Sequence, residues 1–200
     1  MTRHTASLPP GYFEDRYAAD PDPWRFATSE YERAKYAATL AALPRRRYGA
    51  ALEVGCSIGV LTRALAARCD ALVAVDVAPS ALDQARACCR DLAHVRFALN
   101  QVPGAWPEGG YDLILLSEVV YYLDEADVGR LAERIRDGLL PDGDVVLVHW
   151  TGETDYPLSG DEAAEILIAR TAGFLNPVHQ ARTREYRLDV LRHRCPKPRT

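Results

Sequence analysis

Short runs of apolar residues alternate with amphipathic stretches along most of the chain. Five of the apolar runs have the length and continuous hydrophobic character of strands that are covered on both faces: 50–54, 71–75, 95–99, 111–116 and 145–148. Between and after these strands, four stretches have the apolar periodicity of helices: 61–67, 79–92, 127–139 and 161–171. Repeated strand-then-helix units predict a parallel, doubly wound sheet with right-handed crossovers.

The C-terminal part of the chain has a different pattern. Residues 176–183 and 186–194 alternate polar and apolar positions, which predicts an antiparallel pair of strands. With this pair, the predicted sheet has seven strands. The expected fold class is therefore α/β: a three-layer, doubly wound, mostly parallel seven-stranded sheet that ends in an antiparallel C-terminal strand pair.

The N-terminal part is rich in proline and aromatic residues over positions 1–28. Because prolines break helices and its aromatic rings need burial, we expect this segment to be an arm that packs over the domain. Ser29 and Glu32 have the spacing of a capping box and predict a helix that ends before Pro44. Residues 1–45 are thus predicted to be an N-terminal arm or lid and a first helix, within a single domain that spans residues 1–200.

Composition narrows the class of protein. The chain has 200 residues, of which 48% are hydrophobic and 26% charged, as in an ordinary globular domain. A net charge of −4 argues against a nucleic-acid-binding surface, and no long apolar stretch predicts a membrane span. We therefore expect a cytoplasmic protein. The five cysteines, Cys195 among them, lack the spacing of a metal site or a disulfide framework, so no metal is expected.

Polar and small residues follow the ends of the predicted strands, where ligands bind in doubly wound sheets. The turn Gly55-Cys56-Ser57-Ile58-Gly59 follows the first strand, and its small residues let the backbone approach a ligand. Asp76 ends the second strand, where an acid can accept both hydroxyls of a ribose. Asn100 and Gln101 follow the third strand, and their amides are suited to the polar edge of a purine. Ser117 and Glu118 follow the fourth strand, and His149 and Trp150 follow the fifth.

Two other classes of enzyme share parts of this pattern. Residues 55–59 also spell G-x-S-x-G, the nucleophile elbow of α/β-hydrolases, with His149, His179 and His193 as possible bases. That scheme gives no role to Glu53 or Asp76. A nicotinamide oxidoreductase would need G-x-G-x-x-G, and no glycine follows in the right phase.

The glycine turn and its neighbours resemble a known family. Residues 53–59 are similar to the first motif, E-x-G-x-G-x-G, of class I S-adenosylmethionine (SAM)-dependent methyltransferases, with serine in place of the middle glycine. Asp76 matches the acid after the second strand of that family, and residues 111–114 and 140–143 match later motifs. The amides at 100–101 stand where the family commonly has an acid.

A wider resemblance is to the NodS-like methyltransferases. It lies in Asp22-Pro23-Trp24, in Tyr31-Glu32 with Lys35 on the first helix, and in residues 117–123, and it is weakest after about residue 155. The resemblance implies a Rossmann-like methyltransferase fold, SAM as cofactor and S-adenosyl-L-homocysteine as product. In that family the acceptor is the free amine of a de-N-acetylated glucosamine at the end of a chitooligosaccharide.

The positions at the strand ends and the resemblance together give candidate cofactor-binding and catalytic residues. Those expected to bind SAM are Trp24, Lys35, Glu53, Gly55, Cys56, Ser57, Gly59, Asp76, Val77, Asn100, Gln101, Ser117 and Glu118. Those expected to accept or relay the proton of an amine acceptor are Glu118, Tyr121, Tyr122 and His149. Three acids further along could attract a cationic acceptor: Asp155, Asp161 and Glu162.

Several roles have ordinary structural alternatives. His149 could be a structural residue at a strand end, Tyr121 and Tyr122 could serve packing, and Lys35 could be an exposed helix lysine. The expected function is N-methylation of an amino sugar or a related small amine by a monomer or homodimer. The alternatives are O-methylation of a sugar or natural-product hydroxyl, SAM binding without turnover, and NAD(P)-dependent oxidoreduction.

Overall fold

A seven-stranded sheet forms the centre of the molecule, as seen in a computed structural model that describes residues 3–194. Cys195, which the sequence analysis names, lies outside these residues. The strands lie in the order β3-β2-β1-β4-β5-β7-β6, and only β7 runs antiparallel to its neighbours. They span β1 Tyr48–Val54, β2 Cys69–Asp76, β3 Val95–Leu99, β4 Tyr111–Ser117, β5 Leu139–Trp150, β6 Leu175–Arg182 and β7 Tyr186–His193. The predicted parallel sheet and antiparallel C-terminal pair are confirmed.

Helices cover both faces of this sheet. They span α1 Pro10–Ala19, α2 Glu30–Ala42, α3 Val60–Ala66, α4 Pro79–Cys88, α5 Glu125–Gly138 and α6 Gly160–Thr171, with a 3-10 helix at Val120–Tyr122. Alternate residues of a strand point to opposite faces. Leu113 and Leu115 therefore join the core formed with α3, whereas Ile114 and Leu116 join the core formed with α5 and α6. The result is the predicted three-layer arrangement.

The N-terminal segment differs from the prediction because it contains a helix. Pro10 is the first residue of α1, a position where the missing N–H has no intrahelical partner to lose, so proline favours this helix start. The helix packs against α4. The carboxylate of Glu14 accepts hydrogen bonds from the backbone N–H and the hydroxyl of Ser80. Tyr17 of this helix is buried against Ala78 and Ala81 at the start of α4, and Leu8, which precedes α1, is also buried and donates its backbone N–H to the carbonyl of Tyr122.

Two element boundaries also differ. The helix predicted for 79–92 ends at Cys88, and β5 begins at Leu139 where a turn was expected over 140–143. The pairing of β4 with β5 shifts register between Tyr111 and Leu113, so the polar residues of the expected turn lie within an irregular part of the strand.

The register of the sheet brings the strand ends to one edge. Val54 lies opposite Val75 of β2 and Leu116 of β4, so the turns after β1, β2 and β4 begin side by side. The order of strands reverses between β1 and β4, which is where ligands bind in such sheets. Among residues 3–194, no helix is both long enough and apolar enough to cross a membrane.

Candidate functional site

A cavity of about 750 Å³ opens at this edge of the sheet. Its walls come from the turns after β1, β2, β3 and β4, from helix α2 and from the N-terminal segment. The sequence-predicted cofactor residues that line it are Trp24, Lys35, Glu53, Gly55, Cys56, Ser57, Asp76, Val77, Asn100, Gln101, Ser117 and Glu118. The fold thus brings together residues that are far apart in sequence.

The turn after β1 has the backbone conformation that its small residues permit. Gly55 has φ +80° and Ser57 has φ +50°, both in the left-handed region. The backbone N–H of Ser57 donates to Oδ2 of Asp76 at 2.8 Å, and that of Ala78 donates to Oδ1 at 3.0 Å. Burial raises the pKa of Asp76, whereas these two N–H groups oppose that rise. The carboxylate is therefore held in place beside the turn.

Gly59 serves packing, because it lies outside the cavity lining among the described residues. A Cβ atom at this position would lie 2.9 Å from Cα of Ala85, so the glycine allows α4 to pack closely against the start of α3. Its φ of +83° also favours glycine. The expected role for Gly59 in cofactor binding is thus at most indirect.

Glu53 is the most unusual group of the site. It is only 1% exposed and lines the cavity. Neither of its carboxylate oxygens has a hydrogen-bond partner within the described part of the chain. Burial raises the pKa of Glu53 to about 8, although the neighbouring hydroxyl of Thr62 opposes this rise. A buried carboxylate without partners is costly unless a ligand supplies donors, so this position suits a cationic ligand group.

Glu118 joins three elements around the opposite wall of the cavity. Its Oε1 lies 2.5 Å from Nζ of Lys35 on α2. Its Oε2 accepts from the hydroxyl of Tyr121 at 2.6 Å and from the backbone N–H of Trp150 at 2.9 Å. The backbone of Glu118 is left-handed, with φ +55°. Three hydrogen bonds hold this carboxylate in one position.

Lys35 is buried, in contrast to the alternative of an exposed helix lysine. Its side chain is 2% exposed, and Nζ contacts Oε1 of Glu32 at 3.0 Å as well as Glu118. The ammonium also lies 5.1 Å from the centre of the Tyr31 ring. Since two carboxylates already pair with Lys35, it is a poor partner for the carboxylate of a cofactor.

Tyrosines form the wall next to Glu118. The rings of Tyr121 and Tyr156 stack with their centres 5.2 Å apart, and Tyr122 meets both rings edge-on. Phe13 of α1 contacts Tyr122 at 4.8 Å between ring centres. Burial raises the pKa of the Tyr121 and Tyr122 hydroxyls well above the usual value, so both stay protonated at neutral pH.

The N-terminal segment closes the remaining side. The hydroxyls of Tyr17 and Ser57 lie 2.5 Å apart, and Tyr17 packs edge-on against Trp24 at 5.4 Å. Trp24 stacks on Phe26. These aromatic side chains border the glycine turn, as the aromatic composition of the segment suggested.

His149 is not brought to the cavity. It is fully buried, lies outside the cavity lining, and its Nε2 accepts from the backbone N–H of Val120 at 3.1 Å. Burial lowers the pKa of His149 to about 4, so the ring is neutral. The physical reason is that β5 extends to Trp150, so His149 points to the same face as Val145 and Leu147. This placement corrects the expectation that His149 accepts a substrate proton.

The three acids expected to attract a cationic acceptor are occupied instead. Asp161 pairs with Arg182 and with Arg187, and Glu162 pairs with Arg3 at 2.6 Å. Asp155 lies 4.0 Å from the imidazole of His4.

The hydrolase alternative also loses support, because no histidine within residues 3–194 lines the cavity that holds Ser57.

Sequence reasoning missed two groups of the site. Glu32 lines the cavity, although its spacing from Ser29 indicated a helix cap. Tyr156 lies in the loop after β5, and no local pattern marks it. The sequence signal that could have found Glu32 is its spacing of three residues from Lys35, which places both side chains on one face of α2.

Comparisons with known proteins agree with this geometry. The family model "Nodulation protein S (NodS)" matches residues 13–150. Nodulation protein S of Rhizobium tropici is 36% identical over 119 residues, which are 59% of this chain and 50% of that protein. Nodulation protein S of Bradyrhizobium diazoefficiens is 37% identical over 125 residues, which are 62% of this chain and 58% of that protein. This chain therefore spans about half to three fifths of the length of these curated relatives.

A solved structure agrees as well. The N-methyltransferase NodS from Bradyrhizobium japonicum WM9, in complex with S-adenosyl-L-homocysteine, matches with a TM-score of 0.81 at 25% identity. The match covers 92% of this chain and 98% of that one. The fold is thus the Rossmann-like fold of class I methyltransferases. Since the family model also matches well over half of the sequence, the chain belongs to the Nodulation protein S family.

Proposed function

We propose that this chain is a SAM-dependent methyltransferase that transfers a methyl group to the amine of a small molecule, of the amino-sugar or de-N-acetylated glycan class. The single observation that carries the proposal is the pair of acidic side chains on the two sides of the glycine turn, the buried Glu53 and the half-buried Asp76. The names of the relatives support the same activity, since one of them is an N-methyltransferase in complex with S-adenosyl-L-homocysteine.

The residues of the cavity fit this cofactor. Glu53 has two buried oxygens without partners, which suit the ammonium of the methionine part. Asp76 is the last residue of β2, where an acid can bind ribose hydroxyls. Asn100 and Gln101 lie at the end of β3 and border the cavity, where their amides suit a purine edge. When bound, SAM would supply a methyl group on a positively charged sulfur, which is a good leaving group.

The chain's own task is to position the acceptor and to exclude water. Tyr17, Trp24 and Phe13 border the cavity from the N-terminal side and shield it. The tyrosine wall gives a ring-shaped acceptor a flat surface to pack on. We infer that this wall and the carboxylate of Glu118 hold the acceptor nitrogen near the glycine turn.

An amine acceptor must lose a proton, and Tyr121 provides a path for it. Because the Tyr121 hydroxyl donates to Oε2 of Glu118, its oxygen keeps lone pairs that can accept an N–H. The proton of the acceptor nitrogen then moves to the Tyr121 oxygen as the hydroxyl proton moves to Glu118. This path takes the role that the sequence suggested for His149.

Calorimetry with S-adenosyl-L-homocysteine and with NADH tests the cofactor. We expect micromolar binding of the former and none of the latter, and Asp76→Ala should weaken binding about 100-fold while the protein stays folded, since it removes charge-assisted hydrogen bonds. Binding of NADH alone would contradict the proposal.

Incubation of the protein with labelled SAM and with free-amine or N-acetylated glucosamine oligosaccharides tests the acceptor. Labelling of hydroxyls only would favour O-methylation.

A further inference from the structure

Glu32 is a buried carboxylate to which the proposed chemistry gives no role. It is 7% exposed and borders the cavity beside Lys35. Its Oε1 accepts from Nζ of Lys35 at 3.0 Å, but its buried Oε2 has no hydrogen-bond partner within residues 3–194. Leaving such an oxygen unpaired costs free energy. The arrangement therefore suits a donor that a ligand supplies.

The helix cap does not use this carboxylate. Ser29 accepts from the backbone N–H of Glu32 at 3.3 Å, which is half of a capping box. The other half is absent among the described contacts, because the backbone N–H of Ser29 donates to the carbonyl of Arg25 at 2.9 Å. On α6, by contrast, Ser159 and Glu162 form both halves. The side chain of Glu32 is thus turned to Lys35 instead of to the helix end.

The charges around Lys35 do not balance. One ammonium contacts two carboxylates, Glu32 at 3.0 Å and Glu118 at 2.5 Å, so the ionised cluster carries one excess negative charge in a buried place. The neighbouring hydroxyl of Tyr31 is buried and also lacks a partner within the described residues. Burial raises the pKa of Glu32, and the Lys35 ammonium and, more weakly, the neighbouring Tyr36 hydroxyl oppose this rise. A cation with N–H donors would satisfy both the charge and the free oxygen.

We propose that Glu32 determines acceptor specificity by binding the positively charged form of an amine through Oε2. This inference rests on the proposed function and deepens it. A neutral hydroxyl or an N-acetylated amine leaves the charge of Glu32 uncompensated, so both are rejected. The Glu32 carboxylate acts in recognition of the acceptor ammonium. The proton of that ammonium leaves later, along the path through Tyr121 to Glu118. Lys35 is a positioning residue that holds the two carboxylates together.

Glu32→Gln tests this role, because the amide keeps an oxygen for Lys35 and removes the charge. We expect the KM for a free-amine glucosamine disaccharide to rise about 10- to 100-fold, with kcat changed less than about threefold. The affinity for S-adenosyl-L-homocysteine should stay the same. Glu32→Asp keeps the charge and should retain the preference for the free amine over its N-acetylated form. Glu30→Gln, at a side chain 95% exposed in the same helical turn, is the matched control and should leave KM unchanged.

The possible results separate the two proposals. An unchanged KM in Glu32→Gln, with an active wild-type protein, overturns the role of Glu32 and leaves the methyltransferase proposal intact. Weaker binding of S-adenosyl-L-homocysteine with an unchanged KM for the amine would also overturn it, because Glu32 would then serve the cofactor. A wild-type protein that methylates no amine would overturn the proposed function and this inference with it.

Discussion

The backbone N–H of Val120 donates to Nε2 of His149 across 3.1 Å. This bond joins the 3-10 helix that contains Tyr121 to the C-terminal end of strand β5. A neutral imidazole is needed, because a protonated ring has no acceptor for this N–H. The lowered pKa of His149, to about 4, keeps the ring neutral over the physiological range.

His149→Ala should therefore affect stability more than turnover. The substitution leaves a buried N–H without its partner, which should lower the free energy of unfolding by about 1–3 kcal/mol in urea titrations. The kcat of the folded variant should stay within about threefold of wild type, since His149 does not border the cavity. His179→Ala, at an exposed position of β6, is the control. A fully stable His149→Ala protein without turnover would contradict the structural role.

Glu53 should make stability fall as the pH rises. Its pKa is about 8 in the folded chain and 4.5 in an unfolded one, so the folded state binds the extra proton between these values. The contribution is complete below about pH 4.5 and is lost as the pH rises through 8. The Glu53→Gln variant has no titratable group at this position, so its free energy of unfolding lacks this dependence on pH.

Urea unfolding of both proteins between pH 5 and about pH 8.5 measures the effect of Glu53. The stability of wild type should fall relative to Glu53→Gln over this range. His149 acts in the other direction and below its unfolded pKa of 6.5, where stability is lost as the pH falls, and it is common to both proteins. Parallel curves for the two proteins would show that Glu53 is ionised in the folded state.

Gly55→Ala should damage both the fold and cofactor binding. A Cβ atom at Gly55 would clash with Cγ2 of Val119, and its φ of +80° is unfavourable for alanine. We expect a loss of about 1–3 kcal/mol in stability and weaker binding of S-adenosyl-L-homocysteine. Gly129→Ala, within α5 and with open space around it, should instead stabilise the protein by about 0.5–1 kcal/mol. Equal effects of the two substitutions would argue against a constrained turn.

Tyr121→Phe should slow turnover without weakening cofactor binding. The ring stays in the wall, but the acceptor proton loses its path to Glu118. We expect kcat to fall about 10- to 100-fold with S-adenosyl-L-homocysteine affinity unchanged, as removal of a general acid–base group does. Tyr122→Phe serves as the control, because the hydroxyl of Tyr122 does not contact Glu118 among the described hydrogen bonds. An equal loss in both variants would indicate packing alone.

The sequence was a good guide to the sheet and to the residues that line the cavity beside the glycine turn. Apolar runs mark the parallel strands, and the residue after each of the first four runs lies at the edge where the turns meet. Gly55 and Asp76 could therefore be placed from local pattern alone. Helix α1 could not, because the effect of Pro10 depends on whether it is the first residue of a helix or an interior one.

The side of the cavity that we propose for the acceptor depends on contacts between residues distant in sequence. Lys35 and Glu118 are 83 positions apart, and no periodicity relates them. The case of His149 is different: the predicted strand ended at residue 148, whereas β5 continues to Trp150 and holds His149 within the strand, on the face that packs into the core. Strand ends are the least certain part of a prediction from pattern, and the role of His149 depended on one.

The division of the cavity has a consequence for how acceptor preference can diverge. The glycine turn and Asp76 line one side of the cavity. Glu32 on helix α2, Tyr121 after β4 and Tyr156 after β5 line the other side. Loops after strands tolerate change without disturbing the sheet, so under the proposed function substitutions at Tyr121 and Tyr156 would change the acceptor and leave the sheet intact. The glycine turn and Asp76 would keep the same methyl donor throughout that change.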